Sequence, residues 1–170
     1  MSRREESKVI RNVQETDSIA IARIYNHYIA HSTCTFEEHP VTDADMAERI
    51  RVVVDSALPW LVYEHQGQVV GYCYAKRWNA RSAYRFTVES SVYVDHETPI
   101  KGVGSRLYDA LFNDLQTRGV KNIMSVITLP NDASVKFHDK MGMQQVGHFK
   151  QIGFKFEQWL DVGYWQKVLD

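Results

Sequence analysis

The segment with the clearest chemical character runs from Val92 to Ser105. Val92-Tyr93-Val94 reads as the end of a strand, Asp95 to Lys101 as a loop, and Gly102-Val103-Gly104-Ser105 as the opening of a helix. The first N–H groups of a helix have no partner within it. Together with the positive end of the helix dipole, those donors suit a phosphate or pyrophosphate group. Glycine matters at such a place because a side chain would hold an anion off the backbone. On spacing alone the signal is weak, since such glycines more commonly just close a turn. The third glycine of a dinucleotide fingerprint is missing. A P-loop is excluded too, because Lys101 precedes the glycines and no Gly-Lys-Ser/Thr follows them.

Four other side chains have suitable chemistry. Glu89 stands late in the run Tyr84 to Val94, among Tyr84, Phe86 and Tyr93. It is either a solvated strand carboxylate paired with Arg85 or another cation, or a partly buried proton acceptor with a raised pKa. His138 carries a ring that titrates near neutrality, or is a packed or solvated helix residue. Asn131, before Ser134, has the character of an N-cap or turn residue. Arg81 offers a fork that grips a carboxylate with two parallel bonds. The seven histidines are scattered and form no zinc-finger pattern with the two cysteines, so no metal is expected.

These residues must be positioned by the elements around them. Val9 to Val13 reads as a strand, then Asp17 N-caps a helix with Ile19, Ile21, Ile24, Tyr25 and Tyr28 at near-helical spacing. A loop from His31 to Pro40 carries Cys34 and Phe36. Thr42 caps a second helix through Met46, Ile50 and Val53, and Pro59 ends it. Trp60–Glu64 and Gln68–Lys76 form a hairpin about Gln66-Gly67. The run Tyr84 to Val94 is a long strand. A helix follows from Gly102 to Thr117, with Leu107, Leu111 and Leu115 four apart and Gly119 as its cap. Ile123 to Thr128 is a strand and Ser134 to Met141 a short helix closed by Gly142. Two further strands, Gln144 to Ile152 and Trp159 to Val168, complete the chain. This order predicts an α/β fold around a mixed, mostly antiparallel sheet with helices on both faces.

The whole chain limits the function classes. Its 170 residues fit one domain, with residues 1 to about 8 as a flexible tail. Hydrophobic residues at 44% and charged residues at 24% support an ordinary buried core. A net charge of −1 argues against a nucleic-acid surface. The apolar runs are too short to span a bilayer, and the polar start lacks a signal-peptide core. Two cysteines, Cys34 and Cys73, make no disulfide framework, which fits the reducing cytoplasm.

In this order of elements, Pro99-Ile100-Lys101-Gly102-Val103-Gly104 resembles the Q/R-x-x-G-x-G/A motif of the GNAT superfamily of N-acetyltransferases. Asn131 through Gly142 resembles that superfamily's second CoA-side signature, an Asn followed by a short helix and a Gly. Further blocks resemble the phosphinothricin N-acetyltransferase family in particular: Asn26-His27-Tyr28-Ile29, Ser32-Thr33, Pro59-Trp60-Leu61-Val62, Ala80-Arg81, Ala83-Tyr84, Glu89-Ser90, Leu129-Pro130-Asn131-Asp132, Gly153-Phe154-Lys155 and Trp159 through Gln166. They spread in order over nearly the whole chain. Pro99 is a departure, since the superfamily usually has Gln or Arg there. Proline lacks a backbone donor, which lowers the expected affinity for CoA.

The resemblance implies an acetyl-CoA-dependent enzyme that acetylates a small amino-acid-like amine such as phosphinothricin, methionine sulfoximine or methionine sulfone. It implies a GNAT-type fold and a homodimer. Glu89 would be the general base, and His138 would protonate the leaving thiolate. Val92, Tyr93 and Val94 would run beside the pantetheine, with Ile100, Lys101, Gly102, Val103, Gly104, Ser105 and Asn131 holding the rest of CoA. Arg81 would clamp the substrate carboxylate, with Trp78, Tyr84 and Thr87 as neighbours, Phe36 as a second wall and Lys155 for an anionic side group. A β-bulge, usual in the superfamily, would decide which way Glu89 points. Two other readings remain: a protein or peptide N-acetyltransferase, which needs an open groove, and a non-catalytic acetyl-CoA-binding module, favoured by Pro99.

Overall fold

The computed structural model describes residues 8–170, so most of the expected tail lies outside the described residues. The elements are β1 (Lys8–Asn12), α1 (Ser18–His31), α2 (Asp43–Asp55), β2 (Trp60–His65), β3 (Gln68–Arg77), β4 (Thr87–Val94), α3 (Val103–Thr117), β5 (Asn122–Leu129), α4 (Asp132–Lys140), β6 (Gln144–Lys155) and β7 (Gln158–Val168). The strands form one sheet in the order β1-β2-β3-β4-β5-β7-β6. Among the described residues only the β4–β5 pair is parallel, as a strand–helix–strand crossover requires.

Periodicity explains how the helices are distributed. Leu107, Leu111 and Leu115 are fully buried, and α3 packs with Val88, Ile123 and Trp165 on one face of the sheet. The apolar stripes of α1 and α2, through Ile21, Ile24, Met46 and Ile50, pack on Trp60, Val62 and Tyr72 on the other face. Thr42 forms the expected cap of α2: its hydroxyl accepts from Asp45 N at 3.1 Å, and Asp45 Oδ2 accepts from Thr42 N at 3.0 Å. Asp17 stands at the N-cap of α1 without capping it. Its carboxylate instead receives Arg11 at 2.8 and 3.0 Å and Gln14 N at 2.7 Å.

Two expectations are corrected. The strand expected from Tyr84 begins at Thr87, because Ser82–Tyr84 closes a 3-10 turn through Tyr84 N to Arg81 O and Arg85 N to Ser82 O. Phe86 O accepts from both Lys121 N and Asn122 N. Tyr84 and Phe86 are therefore exposed, at 41% and 47%, and do not enclose Glu89. The bulge expected in β4 is absent. Its register with β3 runs unbroken from Gly71↔Val94 to Arg77↔Val88, and the shift lies instead between β2 and β3 at Tyr63/Glu64. Strand parity thus holds along β4 and puts Glu89 on the face of Ser91 and Tyr93, where Tyr93 packs against α1.

The feature that shapes the site is a parting of strands. β4 and β5 share three pairs, Thr87↔Asn122 to Glu89↔Met124, and then separate as β5 continues against β7. Buried serines sit where they part: Ser90 Oγ and Ser125 Oγ are 2.9 Å apart, and the Tyr108 hydroxyl lies 3.2 Å from Ser90.

Candidate active site

The parting leaves one edge of β4 without a partner strand. Thr87 O accepts from Trp78 N, and Asp95 N donates to Val70 O. By parity, residues 87, 89, 91, 93 and 95 direct their backbone groups at β3, while Ser90, Val92 and Val94 direct theirs into the gap. The Tyr28 hydroxyl takes the Val94 carbonyl. The N–H groups of Val92 and Val94 therefore face a cleft of about 610 Å³. Tyr93 also lines the cleft, although its backbone belongs to the β3 ladder.

At one end of the cleft lies the glycine turn. Gly102 has φ +77°, a left-handed conformation that favours glycine. Gly104 keeps the wall thin, because a Cβ there would sit 3.4 Å from Phe137 and 3.8 Å from Val94, both lining residues. Ile100, Val103 and Ser105 also line the cleft, whereas Lys101 is exposed outside it. At the other wall, Asn131 caps α4 by accepting from Ser134 N at 3.1 Å, which leaves its amide nitrogen to meet a ligand.

His138 lines the same cleft and is 6% exposed. Its Nδ1 lies 2.8 Å from Ser134 O and so carries the proton donated there, leaving Nε2 bare in the neutral ring. Burial lowers its pKa below the ordinary 6.5, against smaller upward pulls from the Ser134 carbonyl and Asp139.

Glu89 does not line the cleft. It stands beside it on the α1/α2 face, with Lys76 Nζ at 3.3 Å. At the same end of the sheet lie Trp78 and Thr87, half-buried, and Arg81 and Tyr84, exposed on the β3–β4 connection. Trp78 packs edge-on against Tyr164, with centroids 5.9 Å apart. Phe36 lies apart from them, seated on Gly153, where an added Cβ would come within 2.2 Å of its ring.

Lys155 requires a correction. The expected contact with an anionic substrate group is unavailable, because the side chain is 1% exposed and its ammonium donates to Ser32 O and Thr35 O, both at 2.8 Å. Burial lowers its pKa. It pins the loop between α1 and α2, in which Thr35 bonds Tyr25, Tyr25 donates to Glu37, and Arg49 grips Glu37 at 2.6 and 2.8 Å.

Sequence reasoning missed Tyr28 and Cys34, which line the cleft from α1 and its following loop, and Tyr108 and Ser90 at the parting of the strands. The tyrosine on α1 among buried neighbours was the available signal for Tyr28. It also passed over the four-residue spacing of His27 and His31 on α1. The His27 ring stacks on His96 at 3.4 Å. Even so, no group of three His, Cys, Asp or Glu among the described residues is arranged to hold a metal ion.

The Acetyltransferase (GNAT) domain model matches residues 10–163. The chain is 41% identical over 158 residues to a phosphinothricin N-acetyltransferase of Streptomyces viridochromogenes, covering 93% of this chain and 86% of that one. It is 31% identical to an L-methionine sulfoximine/L-methionine sulfone acetyltransferase of Salmonella typhimurium, covering 95% of this chain and 94% of the relative. A GNAT superfamily phosphinothricin acetyltransferase of Sinorhizobium meliloti, solved in complex with AcCoA, superposes with a TM-score of 0.91 at 32% identity, covering 95% of this chain and 88% of that one. With the parted strands, the glycine turn and the unpaired β4 edge in the same cleft, these likenesses identify the chain as an N-acetyltransferase of the GNAT superfamily, within its phosphinothricin N-acetyltransferase family.

Proposed function

We propose that the chain transfers the acetyl group of acetyl-CoA directly to the amine of a small amino-acid-like substrate, such as phosphinothricin, methionine sulfoximine or methionine sulfone, with Glu89 as general base. The observation that carries this reading is the unpaired β4 edge at Val92 and Val94, facing a cleft that ends on the glycine turn. Pantetheine amides add to that edge as a further strand would. The N–H groups at the start of α3 receive the pyrophosphate, Asn131 bonds CoA, and the Val92 N–H polarises the acetyl carbonyl.

Glu89 and His138 flank this position from opposite faces of the sheet. An ammonium arriving from the α1/α2 face gives one proton to Glu89, and the free amine attacks the thioester carbon. The tetrahedral nitrogen then gives its second proton to Nε2 of His138, and the C–S bond breaks. Because burial keeps the resting His138 neutral, the proton it delivers to sulfur is one that Nε2 has accepted within the cycle. Arg81, Tyr84, Trp78 and Thr87 border the acceptor, and Phe36 forms the opposite wall.

The chain acts as one domain and as a homodimer in the cytoplasm. Exposed Phe149, Ile152, Phe154 and Trp159 on β6–β7 support the dimer, and the unpaired thiols of Cys34 and Cys73 support the compartment. Among the described residues no helix is long and apolar enough to cross a membrane.

The test is thiol release from acetyl-CoA with phosphinothricin, methionine sulfoximine, methionine sulfone, free amino acids and short peptides. Release with the small amines is expected, and Glu89→Gln should lower kcat/KM by about 10²–10⁴. Release with peptides alone would replace the acceptor class. Acetyl-CoA binding without turnover on any amine would make the chain a binding module.

A further inference from the structure

Helix α1 grips the segment that joins β4 to α3 at three points. Arg23 Nη2 lies 2.6 Å from Asp95 Oδ2, and the Tyr28 hydroxyl donates to the Val94 carbonyl. Between them the His27 ring lies flat on His96, with centroids 3.4 Å apart and planes within 4°. Arg23, His27 and His31 stand four apart and so share one stripe of α1. The His31 ring lies 4.9 Å from that of His27. His27 is half-buried under its partner, whereas His96 is exposed.

The segment held here leads straight into the glycine turn. Asp95 is still tied to the sheet, through its N–H to Val70 O. Beyond it the segment is bonded to itself. Glu97 N donates to Asp95 Oδ1 at 3.0 Å, Thr98 N to Asp95 O at 3.1 Å, and Ile100 N to Thr98 Oγ1 at 3.4 Å. Ile100 and Gly102 both line the cleft. The placing of Asp95 and His96 against α1 is thus passed along the chain to the turn proposed to receive the pyrophosphate.

We propose that His27 and His96 are positioning residues for acetyl-CoA: their stack holds residues 95–102 in the shape that aims the glycine turn at the pyrophosphate, and protonation of both rings releases it. The proposal rests on the transferase reading above and adds a pH dependence to its acetyl-CoA site. The charged and titratable groups facing the stack are Arg23, Tyr28 and His31 from α1, and Asp95 and Glu97 from the segment. One proton is tolerated, because His96 Nδ1 lies 3.6 Å from Asp95 Oδ1. A second puts two cations face to face, while Asp95 is already engaged by Arg23. Burial, then the nearness of His96 and His31, lowers the His27 pKa below the ordinary 6.5, against smaller upward pulls from Asp95 and Glu97. A histidine whose folded pKa is depressed keeps its contribution above the ordinary value and loses it as the pH falls. The hold on the turn therefore weakens below about pH 6.5.

The test is calorimetric titration of acetyl-CoA into the parent, His96→Phe and His96→Ala between about pH 5.5 and about pH 8, the range in which histidine titrates. His96 is exposed, so neither variant disturbs the core. The parent's Kd should rise by about fivefold or more from the top of the range to the bottom, the scale of a modest coupling free energy. His96→Phe keeps a flat ring over His27 and attracts that ring when it is protonated. Its Kd should therefore match the parent's within about twofold at high pH and stay there in acid. His96→Ala has no stack to lose, so its Kd should start about fivefold high and remain flat. A loss of affinity in acid that persists in His96→Phe would assign the titration to another group, such as His138, and overturn the proposal. Normal binding by His96→Ala at the top of the range would overturn it too, as would tighter binding by the parent in acid. Each of these outcomes leaves the transferase reading standing. Absence of acetyl-CoA binding at every pH would defeat that reading and the proposal together.

Discussion

The cleft beside α3, proposed for acetyl-CoA, is lined by backbone, whereas the proposed acceptor side across the sheet is held by side chains drawn from α1, α2, β6 and the loop after α1. In the cleft the groups proposed to hold acetyl-CoA are the N–H donors of Val92, Val94 and the first turn of α3, with glycines beside them. Across the sheet, Lys155 from β6 reaches Ser32 and Thr35, and Tyr25, Glu37 and Arg49 complete the chain of bonds. A backbone site tolerates many side chains but little added bulk. A site held by a side-chain network tolerates bulk at its rim but not the loss of a member. The two halves should therefore fail separately and in different ways.

The largest separation is expected from Gly104→Val. The position lies in the first turn of α3, so the helix itself tolerates the change, but the branched side chain grows into the cleft between Phe137 and Val94. Losing two hydrogen bonds to charged phosphate oxygens, at about 1.5–3 kcal/mol each, should raise the KM for acetyl-CoA by about 100-fold or more. The KM for the acceptor should change far less. Steady-state kinetics with each substrate varied in turn will show this, and a matching rise in both constants would mean that the halves are not independent.

Lys155→Met probes the other half. The carbonyls of Ser32 and Thr35 lose charged donors, partly offset because a buried ammonium no longer has to be desolvated. The loop loosens and Phe36 loses its seat against Gly153. The KM for the acceptor should rise by about tenfold, while that for acetyl-CoA stays within about twofold, the size of one poorly held contact. An acceptor KM that does not move would show that the loop is held by the Asn26–Val41 bonds alone.

The same contrast explains what could be read from the sequence. The turn at Gly102 and the helix after it depend on local residues, so their spacing revealed them, and the leucine period of α3 fixed its buried face. The alternation in β4 gave its parity only once the register showed no bulge. The start of that strand was misjudged because Phe86 O is engaged by Lys121 and Asn122, more than thirty residues on in the chain. Lys155 looked like a substrate contact for a similar reason. Its partners, Ser32 and Thr35, are 123 and 120 residues away, and nothing local marks it as buried. The aromatic stack of Trp60, Tyr72 and Tyr74 was also hidden, since they read as ordinary strand residues until the sheet brings their rings together.

Pro99→Arg gives the smallest and most discriminating effect. Pro99 is exposed in the turn before Gly102, does not line the cleft and has no N–H to donate. Restoring a backbone donor and adding a guanidinium supplies about one net hydrogen bond, which corresponds to a fall of about threefold in the KM for acetyl-CoA. The acceptor KM, set across the sheet, should not follow. A KM for acetyl-CoA that stays unchanged would mean that Ile100 to Ser105 already furnish every donor the pyrophosphate uses. In that case the departure at Pro99 costs nothing, and it would no longer favour a chain that binds acetyl-CoA without turning it over.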